Sequence, residues 1–353
     1  MAHLEYVPFS KIDLSDNFFE SLKADYAEFS TWFNKKAACD EYAYVLYDDE
    51  DNLVAFLYLK LEHDEIKDAS PPLTNKKRLK VGTLKIEAHG TRLGERVIKK
   101  IMDHATENNV EEIYVTVFPK HEQLIKGLKH YGFYHTADKK SANGIEQVLV
   151  KNVGINSHNI YQDYPFVKAT RKKCWVLSIK PEFHTKMFPD SILSNESYNL
   201  LNDVAPTNTI RKIYITAMDC LTMMSKGDLV FIYRTNDGQG PAYYRSVVTS
   251  LCVVDEVWNI NYFKTESDFL SYCSKGSIFS IEELKRFYKD KKYPHLIRMT
   301  YNVAFKKKVT NKQLQEELGI SPFYWGCFSL TSKQSKTLLE LGQCNPRIVL
   351  WEQ

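Results

Sequence analysis

The stretch from Arg78 to Phe133 constrains the fold more than any other part of this chain. Val81, Leu84 and Ile86 read as an extended segment, and His89-Gly90-Thr91-Arg92-Leu93-Gly94 follows as a short glycine-bearing turn. Leu93, Val97, Ile101 and Ala105 then recur at helical spacing, with Lys99, Lys100 and Asp103 elsewhere on the cylinder, which predicts an amphipathic helix. Asn108-Asn109 stops it, and Ile113, Val115 and Val117 alternate with polar partners as a second strand. Strand, glycine turn, helix, strand, helix favours two neighbouring parallel strands joined by a right-handed crossover.

Such a turn feeds unpaired backbone N–H groups, at the positive end of a helix dipole, toward whatever lies in front of it. A pyrophosphate suits that environment. No Walker lysine follows the glycines and no G-x-G-x-x-G is present, which argues against an NTPase loop and a dinucleotide site.

These residues resemble the GNAT N-acetyltransferase family, whose signature is Arg/Gln-x-x-Gly-x-Gly/Ala between a strand and a helix. His89 falls at the Arg/Gln position, Arg92 at the first Gly and Gly94 at the last small residue, while Gly90 matches a glycine common after the Arg. Gly132-Phe133 resembles the family's later Gly-Phe block. The Asn usual after the next strand falls on His121, and the usual Tyr falls on Leu128. The resemblance implies a mixed sheet with helices over residues 1–153. It also implies acetyl-CoA held by Ile86, His89, Gly90, Thr91, Arg92, Leu93, Gly94, Glu95 and Arg96.

At 353 residues the chain is long enough for two domains, and its 13% aromatic content supplies ample core material. Its apolar runs fall short of a membrane span. The start Met-Ala-His-Leu-Glu lacks the pattern of a signal peptide. Seven scattered cysteines without C-x-x-C indicate neither a disulfide framework nor a zinc site, so a reduced, cytoplasmic protein is expected. The net charge of +3 is uneven: acidic residues predominate in 1–153 and basic ones in 154–353, which hints at an anionic partner for the second half.

Along the first half, Phe18, Phe19, Leu22 and Tyr26 recur near helical spacing; in the GNAT resemblance this region flanks the acceptor cleft. Residues 42–47 and 53–59 read as a hairpin, 62–77 as an exposed loop, and 146–150 as a last strand. Residues 154–165 read as a linker. Beyond it, residues 175–179, 226–234, 244–254 and 296–305 read as strands closed by short turns, with helices over 279–288 and 331–341. That pattern suggests a small β-barrel, hence an α+β fold class for the chain. Lys-Gly-Asp-Leu-Val-Phe-Ile-Tyr at 226–233, Tyr-Arg-Ser-Val-Val-Thr-Ser at 244–250 and Phe328-Ser329-Leu330 resemble the PUA-like superfamily in its EVE/ASCH branch. That resemblance places a PUA-like domain over residues 166–353 and implies binding of RNA or a modified nucleobase.

Acetyl transfer requires the amine to lose a proton and the leaving thiolate to be stabilised. Glu87, at the end of the strand before the turn, is the candidate base, and a solvated strand-end glutamate is the alternative. His121 stands where an imidazole can exchange a proton, and an ordinary surface histidine at a helix start is the alternative. Tyr134, or Tyr131, stands in for the missing tyrosine acid, with core packing as the alternative. No H-E-x-x-H supports a metal. In the second half, Trp175, Trp258 and Trp325 are candidate base-stacking rings, and Arg171, Lys172, Lys173, Lys306, Lys307 and Lys308 candidate phosphate contacts. The expected function is an acetyl-CoA-dependent N-acetyltransferase whose PUA-like module delivers an RNA substrate of tRNA type. The competing class is a non-catalytic GNAT-like scaffold or acyl-CoA sensor beside a nucleic-acid reader. The departures at His89, Arg92 and Leu128 favour the latter; Gly90, Gly94 and the amphipathic helix favour the enzyme.

Overall fold

The computed structural model describes residues 4–48, 50–87, 93–191 and 208–351. The chain divides into two compact units, Met1–Asn156 and Ser157–Gln353. Both mix helices with sheets.

Unit 1 runs β1 (Leu4–Pro8), α1 (Glu20–Asp25), α2 (Phe29–Ala38), β2 (Tyr42–Tyr47), β3 (Leu53–Glu62), β4 (Ala69–Ser70), β5 (Arg78–Ile86), α3 (Leu93–Glu107), β6 (Glu112–Val117), α4 (Glu122–His130), β7 (Tyr134–Ser141) and β8 (Gly144–Asn152). The sheet order is β1-β2-β3-β5-β6-β8-β7-β4. Within it β5 and β6 pair in parallel and the other described pairings are antiparallel. The period-four apolar face of α3 is buried at Val97, Ile101 and Ala105, and Asn109 ends the helix region at φ 50°.

The segment with near-helical spacing around Phe18–Phe29 forms part of two helices, α1 and α2, with a break at Tyr26. Tyr26 leaves α1 in an extended conformation and its hydroxyl donates to Glu146, 120 residues away, at 2.7 Å. A tertiary hydrogen bond thus overrides local helical periodicity. Phe9, Phe19, Phe29, Phe33 and Phe56 meet behind it as an aromatic core. The expected loop 62–77 contributes the short edge strand β4, paired with β7 through Ala69 and Lys139.

Unit 2 runs β9 (Val167–Lys168), β10 (Cys174–Ile179), α5 (Pro181–Met187), β11 (Arg211–Thr216), β12 (Leu229–Arg234), α6 (Ala242–Arg245), β13 (Val247–Asn259), α7 (Glu266–Cys273), α8 (Ile281–Asp290), β14 (His295–Thr310), α9 (Asn311–Glu316), β15 (Cys327–Leu330), α10 (Ser332–Leu341) and β16 (Val349–Leu350). Six strands pair in the order β11-β14-β13-β12-β10-β15. Among the described residues no pairing of β11 with β15 closes this series into the expected barrel. Of the stretch 154–165, residues from Ser157 onward lie in this unit: Tyr164 is fully buried and its hydroxyl donates to the Tyr301 carbonyl at 2.7 Å. Capping boxes at Ser280, Thr310 and Thr331 start α8, α9 and α10. The expectation of unpaired cysteines is corrected at one place. Cys220 and Cys327, separated by 107 residues, are joined as a disulfide across a Cα–Cα distance of 6.4 Å. Spacing along the chain holds no trace of a pair formed by folding.

Candidate functional site

The parallel pair sets up the site. β5 and β6 are in register only from Arg78 opposite Glu112 to Val81 opposite Val115. β5 then continues to Ile86, held by β3 alone, while β6 continues to Val117 on β8. Beyond Val81 the two strands therefore diverge, and one edge of β5 carries backbone groups without a β6 partner. Buried chemistry fixes the closed end: Arg78, 1% exposed, donates through Nε to Glu112 Oε2 at 2.8 Å, and Lys76 pairs with the same carboxylate. At the open end α3 begins, and both strands present their carboxyl ends there. In α/β sheets that is where ligands bind.

Three loops converge beyond the end of β6. Asp25, the last residue of α1, accepts from Lys120 and lies 3.1 Å from His121 Nε2. Asn143, in the β7–β8 turn, donates through Nδ2 to Glu28 at 2.8 Å and accepts from Ala27 N at 3.3 Å. That bond holds the Glu28 carboxyl below its ordinary range. Tyr26 packs against Phe118 with ring centroids 5.2 Å apart and the planes tilted by 34°, while bonded to Glu146. Burial first, then that carboxylate, pushes the Tyr26 phenol well above its ordinary range. The β7–β8 turn closes on Phe118 at Gly144, whose φ of +128° suits glycine and where a Cβ would stand 3.4 Å from the ring. Ala24, Asp25, Phe118, Pro119, Lys120 and Asn143 line a pocket of about 290 Å³.

Of this group the sequence reading named His121 and drew attention to the region of α1, but missed Asp25, Lys120 and Asn143. Their partners are 95 to 116 residues distant, beyond the reach of any local pattern. Glu87 follows β5, half exposed, in an ion pair with Lys85 at 2.6 Å; Lys85 also reaches the Phe18 carbonyl and ring. Ile86 is opposite Ala55 at the open end. Leu93 is buried at the start of α3, Gly94 has open space around it, and Glu95 accepts from Tyr131 at 2.9 Å. Arg96 is half-buried on the same turn. His89, Gly90, Thr91 and Arg92 lie outside the described residues.

Tyr134 does not join this group. It is in register with Val150, which is opposite Tyr114, so it lies level with the closed end of the β5–β6 pair, and its hydroxyl accepts from Asn152. Tyr131 is buried against Glu95, and Leu128 is fully buried. The sheet register thus separates Tyr134 from the carboxyl end of β6.

In unit 2, Trp175 is 5% exposed and donates through Nε1 to Asp228 at 3.0 Å, which ties it to the Gly-Asp turn and removes it from any stacking surface. Trp258 is partly exposed beside Phe263 and Tyr272, and Trp325 stacks on Tyr233 at 5.6 Å. Lys172 Nζ donates to the Lys226 carbonyl and Lys308 Nζ to the Phe305 carbonyl, each at 2.8 Å. Arg171, Lys173, Lys306 and Lys307 are exposed. Among the described residues no cluster of His, Cys, Asp or Glu is placed to hold a metal, and no helix is long and apolar enough to cross a membrane.

No protein-family model and no curated protein sequence matches the chain. Among solved structures it is similar to an ASCH protein from Zymomonas mobilis, 13% identical over 48% of this chain and 95% of that one, with a TM-score of 0.31. It is also similar to Arabidopsis thaliana Naa50 in complex with a bisubstrate analogue containing CoA, 20% identical over 42% of this chain and 98% of that one, with a TM-score of 0.29. The NatC complex bound to a Gag peptide and CoA is similar at 15% identity over 43% of this chain and 99% of that one, with a TM-score of 0.30. At such TM-scores these likenesses carry no functional weight, and the geometry of the site has to carry it.

Proposed function

We propose that unit 1 is an acetyl-CoA-dependent N-acetyltransferase domain of GNAT type. The observation that carries this reading is the divergence of β5 from β6 beyond Val81, with α3 starting at the open end and an aromatic, charged pocket beyond β6. A pantetheine arm is a narrow amide chain, and strand-edge N–H and C=O groups are the partners it needs. In this reading acetyl-CoA lies in the divergence, its pyrophosphate before α3 from Leu93 to Arg96. His121, oriented by Asp25, and Glu87 are the proton-handling groups for the attacking amine. Leu128 carries no phenol and Tyr134 lies level with the closed end, so the leaving thiolate takes its proton from Tyr131, whose hydroxyl reaches Glu95 at the start of α3, from solvent or from the protonated base.

For unit 2 the reading is a PUA-like module that presents an RNA or modified base to exposed Trp258 and the half-buried Trp325, with Arg171, Lys173, Lys306 and Lys307 on phosphates. Calorimetry with acetyl-CoA, followed by product analysis with amine acceptors and with total RNA, tests both parts. Acetyl-CoA binding with no transfer to any acceptor would turn the reading to the acyl-CoA sensor; no binding would end it.

A further inference from the structure

The walls of the pocket beyond β6 are chemically complementary to one acceptor class. Asp25 presents a carboxylate that is only 12% exposed in its side chain, and Lys120 presents an ammonium that is 59% exposed. The two are ion-paired, Asp25 also facing His121, and Ala24, Phe118, Pro119 and Asn143 complete the lining. The Lys120 end of this pair stands in water, where its attraction is screened, so a ligand can exchange against that end at little cost. A simple alkylammonium would occupy Asp25 and return Lys120 to water. An ammonium adjacent to a carbonyl would satisfy both walls at once. A free carboxylate fits worse, because Glu28 and the buried Glu146 border the same three loops, opposed among the described ion pairs there by Lys120 and His121.

We propose that this pocket takes an α-amino acyl group: its ammonium on Asp25, its carbonyl oxygen on Lys120, its side chain along Phe118. The proposal rests on the acetyltransferase reading above. In the transfer, the amine nitrogen bonds to the thioester carbonyl carbon and the carbon–sulfur bond breaks. Of the three ammonium protons, one stays on the new amide, one ends on the departing sulfur, and one is released to solvent by way of Asp25 and His121.

The test uses the full chain with acetyl-CoA and three probes sharing one ring: phenylalaninamide, phenethylamine and phenylalanine, with products measured by mass spectrometry. A hydrogen bond to a charged group should favour phenylalaninamide by roughly tenfold or more in kcat/KM over each of the others. Lys120→Met should bring the amide-to-amine ratio to about one, Lys120→Arg should retain the preference, and Asp25→Asn should depress both amines. Equal use of phenethylamine, or a Lys120→Met ratio still near wild type, overturns the proposal. Acetyl-CoA binding without transfer to any probe also overturns it and leaves the cofactor site standing. Failure to bind acetyl-CoA instead removes the reading on which it rests.

Discussion

The closed end of the β5–β6 pair depends on a buried ion pair, and Glu112→Gln isolates its contribution. Glu112 keeps its shape in the variant but loses its charge, leaving the 1% exposed Arg78 guanidinium with a neutral partner. Breaking a buried pair from one side costs about 3–5 kcal/mol, because a desolvated charge is left uncompensated. Lys76 softens this little: its side chain is 37% exposed and turns to water. A second acceptor for Arg78, the Asp64 carbonyl, is 3.5 Å away and weak. The expected loss is therefore about 3 kcal/mol, and for a unit of this size that is roughly 6–12 °C in Tm. With two units in one chain a single transition is not assured. Hydrogen exchange read on peptides from β5 and β6 reports this unit alone. Arg78→Met with Glu112→Leu should recover most of the loss, since well-packed apolar replacements avoid the desolvation cost. A Glu112→Gln loss below about 1 kcal/mol would refute the claim that this pair holds the strands together at that end.

Other consequences are as direct. A Cβ at Gly94 meets no atom within 4 Å, so Gly94→Val should leave the fold intact while weakening acetyl-CoA binding measured by calorimetry; unchanged affinity would take the start of α3 out of the site. His184 is fully buried with Nε2 2.7 Å from Thr249 Oγ1, and burial, then Arg234 and Lys308, lower its pKa to about 3. The unfolded chain therefore takes up the proton first, and stability is lost as pH falls from about 6.5 toward 3, by about 2 kcal/mol between pH 7 and 5. His184→Gln should flatten that slope in denaturant titrations, and an equally steep slope would contradict the assignment. Reducing Cys220–Cys327, or Cys220→Ser, should cost unit 2 about 2–4 kcal/mol, since the bond closes a long loop. Melts with and without a dithiol reductant check this, and coincident curves would count against the bond.

What the sequence disclosed follows from the range of the forces involved. The α3 stripe and the alternation in β6 are local patterns, so β5, α3 and β6 were legible from Val81, Leu93, Val97 and Ile113. Leu128 and His121 were also visible as departures from the resembled motif. What stayed hidden is long-range. The break at Tyr26 depends on Glu146, the orientation of His121 on Asp25, and the disulfide on a turn 107 residues from β15. Tyr134 misled because its place relative to β6 is set by strand register through β8. Trp175 misled because a ring that anchors an aspartate turn and a ring that stacks a base are the same letter.

The central claim is that acetyl-CoA occupies the divergence between β5 and β6, and hydrogen exchange with and without saturating acetyl-CoA tests it most directly. Backbone amides in residues 82–86, which lie beyond the last β6 partner at Val81, should gain protection together with those at the start of α3 from Leu93. Amides from Arg78 to Val81, already paired on both sides, should change little. Protection that falls elsewhere, or none in 82–86 at saturating acetyl-CoA, would contradict the account.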